Sequence, residues 1–136
     1  ESVARIVTEE ARDIVGARLG ITSLGVADEG AQQIRSVQRT ASNGELTQAE
    51  FDPELAEKVA RAGAPLNIPG NSASPGRIAI PLLGHGGKNL GVLQLCEKLD
   101  GDFSPRDEAV LAQLAAIAAV GIENARLYER LRDQDR

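Results

Sequence analysis

The sequence has no Trp and no Met, two Phe and one Tyr, so aromatic residues make up only 2% of its 136 positions. Nucleobase stacking platforms need more rings than this, and a core built without them must rely on Ala, Val, Ile and Leu. One cysteine excludes an internal disulfide. No secretory signal pattern precedes the first helix, so a reducing, cytoplasmic setting is expected. One histidine leaves metal and acid–base chemistry without imidazole partners. Cationic excess is also missing. The formal charge is −5 and the Lys and Arg residues are scattered, which argues against a nucleic-acid surface. The most apolar run, Ala109 to Ile122, is interrupted by Gln113 and is shorter than the ~20 residues a bilayer span requires, so no direct membrane contact is expected.

What is present fits one globular domain spanning 1–136: 42% of residues are hydrophobic, enough for one core, and there is neither repeat nor low-complexity tract. The chain begins at Glu1 without Met and reads as a piece of a longer protein. Ser2 to Ala17 carries Val3, Ile6, Val7, Ile14 and Val15 at helical spacing, an amphipathic entry helix. Leu19 to Val26 reads as a strand, Asp28-Glu29-Gly30 as a turn and Gln33 to Gln38 as the hairpin partner. Ala41 to Ala49, with Asn43-Gly44, is a polar surface loop. Asp52-Pro53 opens a short helix that Gly63 closes. Leu66 to Ile68 and Arg77 to Leu83 are strands around a loop of small residues. Gly84-His85-Gly86-Gly87-Lys88 lacks the spacing of a phosphate loop and precedes a strand, so it reads as a hairpin turn.

The stretch Leu90 to Tyr128 organises the rest. Leu90 to Cys96 is a β-suited apolar run, and Asp100-Gly101-Asp102 is turn chemistry. Ser104-Pro105 then starts a long helix, because Ser accepts a backbone N–H at the N-cap and Pro forgoes one that had no partner. Asp107 and Glu108 favour the positive end of its dipole. Residues 126–136, with alternating charges, continue as a solvated output linker helix. Helix, two strands, helix, three strands, helix is an α+β pattern around an antiparallel sheet.

Leu90 to Glu97, Lys98, Phe103 to Glu108 and Ile122 to Tyr128 together resemble the carboxyl-terminal half of a GAF domain, a sensory module related in architecture to PAS domains. The resemblance implies a five- to six-stranded sheet of order 2-1-5-4-3. It also implies terminal helices on one face, and a short helix plus loops over a pocket on the other. Lys98, Phe103, Asp107 and Glu108 resemble a motif of cyclic-nucleotide-binding members, in which Lys and Asp form a salt bridge that clamps the loop to the helix. Glu97 departs from the Asn of that motif, and the short segment Pro69 to Pro75 stands where nucleotide-binding relatives carry a longer lid, so tight cyclic-nucleotide binding is not expected. A negative charge at Glu97 would oppose a phosphate unless paired, with Lys98 or Arg77 as the candidates.

Strand alternation places Leu24, Val26, Leu93 and Leu95 under the terminal helices and Ser23, Gly25 and Gln94 towards the pocket as candidate ligand contacts. The alternative for Ser23 and Gln94 is that they satisfy local hydrogen bonds. Cys96 reads as a small buried hydrophobe and His85 as an exposed turn residue; neither has the partners of a catalytic or haem site. No cofactor is expected. Val110, Leu114, Ile117, Gly121, Asn124, Tyr128 and Leu131 follow three-four spacing, with Ala118 and Ala125 allowing close approach, which predicts a parallel homodimer through the terminal helices. The expected function is a non-enzymatic sensor or relay domain that passes a ligand- or partner-induced change to an effector domain of the parent chain. A structural dimerisation module with a filled pocket is the alternative, and a cyclic-nucleotide regulatory domain a more remote one.

Overall fold

The computed structural model describes residues 2–28, 31–41, 52–72, 76–98 and 101–134. Helix α1 (Ser2–Val15) presents Ala4, Val7, Thr8, Ala11 and Val15 inward, none more than 5% exposed. This splits the apolar set expected from spacing: Ile6 and Ile14 are each 52% exposed on the outer side. Alanines take the inner face because they let the helix axis approach the sheet closely. Thr8 donates to the Ala4 carbonyl (2.5 Å) and lies 2.5 Å from the buried Thr22 hydroxyl, so the proton shared by the two threonines comes from Thr22.

Gly16, at φ 69°, stops α1 in the left-handed region and turns the chain into the sheet. Strands β1 (Ala17–Asp28) and β2 (Ala31–Ala41) form an antiparallel hairpin with a register shift between Leu24 and Gly25. Both run further at each end than the apolar stretch in the sequence indicates, because ladder pairing continues into polar residues. Glu29-Gly30, most of the loop Ala41 to Ala49 and part of the turn at Asp100 lie outside the described residues, as do the side chains of Val26 and of β2.

Helix α2 (Pro53–Ala62) has the expected ends. Asp52 accepts from the Leu55 N–H (3.1 Å), and Gly63, at φ 64°, donates its N–H to the Val59 carbonyl. Strands β3 (Leu66–Ile68), β4 (Arg77–Leu83) and β5 (Asn89–Lys98) complete a five-stranded antiparallel sheet of order β2-β1-β5-β4-β3. A single 3-10 turn, His85–Gly87, joins β4 to β5. Helix α3 (Pro105–Gln134) spans 30 residues, about 45 Å at the usual rise per residue.

The sheet has two unlike faces. On one, Leu24, Ile78, Ile80, Leu82, Leu93 and Leu95 pack with α1 and α3 into a continuous core that includes Phe103, Leu111, Ala115, Ala119 and Ile122. Leu24, Leu93 and Leu95 therefore lie under the terminal helices, as alternation predicts. On the other, Leu55, Ala56 and Val59 of α2 pack on Ala79 and Val92. The window Pro105–Arg132 of α3 is long and apolar enough on composition to cross a membrane, which the interrupted run in the sequence does not indicate. Its row Leu111, Ala115, Ala118, Ala119 and Ile122 is at most 6% exposed and belongs to the domain's own core.

Candidate functional site

The junction between β5 and α3 is held by charge. Lys98 Nζ donates to Asp107 Oδ2 at 2.5 Å, with both side chains largely shielded from solvent. Ser104 and Asp107 also close a reciprocal cap: the Asp107 N–H donates to Ser104 Oγ (3.0 Å) and the Ser104 N–H to Asp107 Oδ2 (2.9 Å). Burial pushes the Asp107 carboxyl up, but the hydrogen bonds from Lys98 and Ser104 and the Lys98 charge outweigh it, and the pKa falls below the ordinary Asp value. Phe103 is 5% exposed and anchors the loop in the helix-side core. Its carbonyl accepts from Asn67 Nδ2 (2.8 Å), which ties β3 to the same junction. Glu108 donates its N–H to the Ser104 carbonyl (3.1 Å) and adds negative charge to the first turn.

Glu97 is in the left-handed region at φ 56°, where Asn is tolerated and a longer side chain costs roughly 1–2 kcal/mol. Its N–H donates to the Gly76 carbonyl, and its carboxylate pairs with Arg18 at the start of β1. The partner is thus neither Lys98 nor Arg77, the candidates named from sequence, because the cross-strand register brings Arg18 alongside. Gly70, Asn71, Gly76, Glu97, Lys98, Gly101 and Asp102 line an open depression of about 470 Å³ at this end of the sheet. The Gly70 N–H donates to Asp102 Oδ1 across it (3.0 Å).

Ser23, Gly25 and Gln94 line no part of that depression. Gln94, fully buried, uses its amide on the backbone that starts α2. Nε2 donates to the Asp52 carbonyl (2.9 Å), while Oε1 accepts from the Asp52 N–H (3.4 Å) and from Arg77 Nη1 (2.6 Å). Ser23 donates to the Val92 carbonyl at 3.3 Å. The Gly25 carbonyl, one residue past the last β1–β5 pair, accepts from Arg126 of α3 (3.4 Å). The structure therefore brings Ser23 and Gln94 to one face of the sheet and ties the Gly25 carbonyl to Arg126 of α3. Sequence reasoning missed Asp52 and Arg77 as partners of Gln94. The one available signal was a Gln inside an otherwise apolar strand, which requires buried hydrogen-bond partners.

On the outer side of the terminal helices, Ile117, Val120, Leu127, Tyr128 and Leu131 are 53–71% exposed. Of the seam expected from spacing, Ile117, Tyr128 and Leu131 lie on this stripe. Val110, Leu114 and Gly121 are half-buried, Leu114 against the helix-side core. Ala118 faces the core rather than a neighbour. The stripe is rotated towards Val120 and Leu127 because α1 occupies the flank of α3 beside Gly121, where Val3 lies.

An antiparallel sheet with both terminal helices on one face, a third helix on the other and a Lys–Asp clamp at the root of the last helix defines a class of small α+β modules. The family model of the GAF domain matches residues 1–123, and the chain belongs to that family. Its fold is similar to the GAF-B domain of DevS from Mycobacterium smegmatis, with a TM-score of 0.69 at 19% identity over 96% of this chain and 97% of that one. It is also similar to GAF3 of Slr1393 from Synechocystis (0.71, 14% identity, 96% and 97% covered). A third likeness is to the GAF domain of a Pseudomonas syringae protein assigned as a sensor histidine kinase (0.63, 19% identity, 98% and 81% covered). No curated protein matches the chain significantly. GAF domains are in general regulatory sensor domains rather than catalytic ones.

Proposed function

We propose that this chain is a non-enzymatic, cytoplasmic GAF relay domain of a larger signalling protein. It pairs with a second copy through its terminal helices and passes a change along α3 to an effector in the parent chain. The apolar stripe of α3 carries this reading: Leu127, Tyr128 and Leu131, exposed by 53–65%, continue it beyond Arg126, which donates to the Gly25 carbonyl of the sheet. A single helix exposing large apolar side chains beyond its own core gains by burying them against a copy of itself. Light scattering at high micromolar concentration tests it. The expected mass is twice the 14.3 kDa of the chain, returning to the monomer in Leu131→Glu; a monomer at that concentration contradicts it.

The α2 face supplies the trigger in this reading. A ligand that used the Gln94 amide would have to displace the Asp52 backbone, and lifting the start of α2 would couple occupancy to the sheet. One observation favours the filled-module alternative instead: Gln94 and Ser23 already have partners inside the domain. Native mass spectrometry separates the two, since a co-purifying small molecule lost in Gln94→Leu supports sensing and its absence in the purified protein supports a filled module. Cyclic nucleotides are expected to bind weakly at best, because the short segment between β3 and β4 leaves little chain to enclose them. Titration calorimetry showing micromolar or tighter binding of cyclic AMP or cyclic GMP would overturn that expectation.

A further inference from the structure

We propose that Glu123 and Arg126 form a two-point clasp that fastens α3 to the β1–β2 and β4–β5 hairpins where the helix leaves the domain, so that these hairpins act as levers on the helix that exits. The two residues are three apart and so share one side of the helix. Arg126 Nη2 donates to the Gly25 carbonyl, just past the point where β1 loses its β5 partner. Glu123 Oε1 accepts from the His85 N–H at 2.7 Å, at the tip of the hairpin between β4 and β5. Within the next two turns, Leu127, Tyr128 and Leu131 are exposed.

Gly84, next to His85, shows how closely the Glu123 carboxylate seats against the hairpin. At φ −91° and ψ −157° its backbone is open to any residue, so the turn itself does not call for glycine. A Cβ at this position would lie 2.6–2.8 Å from the Glu123 carboxyl group. A side chain here would displace the carboxylate, which is the flexible end of Glu123. Gly86 and Gly87 differ, with φ of 69° and 78° and nothing within 4 Å of an added Cβ: there glycine serves the backbone.

This gives a way to open the clasp from either side. Glu123→Ala removes the acceptor. Gly84→Ala displaces the flexible end of Glu123 from the hairpin and leaves α3 unaltered in sequence. Glu123→Gln keeps an oxygen that accepts from His85. The role of the clasp in relay rests on the function proposed above, but the clasp is tested without reference to oligomeric state or ligand.

Nitroxide labels at Lys88→Cys and Arg130→Cys, in a Cys96→Ala background and diluted with unlabelled chain, report the distance between the hairpin and the exiting helix by pulsed electron resonance. We expect one narrow distribution in the parent and in Glu123→Gln, and one about twofold wider in both Glu123→Ala and Gly84→Ala, as a locally released element samples more positions. Circular dichroism melting confirms that each variant is folded. Parent-like distributions in folded Glu123→Ala or Gly84→Ala overturn the proposal.

Discussion

The two faces of the sheet are held in different ways. The face under α1 and α3 is one apolar cluster joining both terminal helices to strands β1, β4 and β5. The face under α2 has, among the described residues, one small cluster of Leu55, Ala56, Val59, Ala79 and Val92, a second of Leu19, Ile21 and Cys96, and a polar anchor from Gln94 and Arg77 to Asp52. Burial is non-directional and adds up with area, whereas a hydrogen-bonded anchor depends on geometry and is lost when one partner moves. The contrast predicts that α2 opens more readily than the terminal helices.

Substitutions should reproduce this ranking. The largest effect is expected for Leu95→Ala. The side chain is fully buried in the helix-side core, and a cavity there should cost about 3–5 kcal/mol by urea unfolding. Leu55→Ala on the α2 side should lie near the lower end, about 2 kcal/mol, since a short helix can settle into the space. Equal losses would remove the contrast between the faces.

Next comes the clamp at the root of α3. Asp107→Ala removes the Lys98 pair and one arm of the cap and should cost about 1.5–3 kcal/mol at neutral pH. Because the folded-state pKa of Asp107 is lowered, its contribution is fully present above the ordinary Asp value of about 3.9 and is lost as pH falls through the lower folded value. In Asp107→Ala that part of the acid-induced loss should disappear from the pH profile of unfolding.

Gln94→Leu should cost roughly 1–3 kcal/mol, since the Asp52 backbone groups and Arg77 lose their buried partner. Its exchange signature should be confined to α2. Least of all, Glu57→Ala breaks an exposed ion pair to Arg61, with side chains 62% and 73% accessible, and should change stability by about 0.3–0.5 kcal/mol. A larger change would mean that α2 is held by its surface rather than by its anchor.

Much of this could be read in the sequence wherever the chemistry is local. Ser104-Pro105, Asp52-Pro53 and Gly63 mark helix ends through their own side chains and backbone preferences, and all three serve as such ends in the structure. Alternation placed Leu24, Leu93 and Leu95 correctly because a strand's two faces depend only on parity. The features that were not legible need partners distant in sequence. The phase of the α3 stripe follows from where α1 lies, and the inner face of α1 mixes Ala4, Thr8 and Ala11 with Val7 and Val15 while Ile6 and Ile14 stay outside. The Gln94 anchor joins residues 42 positions apart. The left-handed backbone at Glu97 occurs where its N–H meets the Gly76 carbonyl and its carboxylate meets Arg18, and the family pattern marked that position only as a departure.

Amide hydrogen exchange of the folded chain, read residue by residue, compares the faces most directly. The Val59–Ala62 amides of α2 should exchange about 10–100-fold faster than those of Ala115–Ala119 in α3, through an opening that leaves the helix-side core intact. Gln94→Leu should accelerate α2 alone. If α2 and the core of α3 exchange at the same rate through one global opening, the two faces form a single unit and this division of roles is wrong.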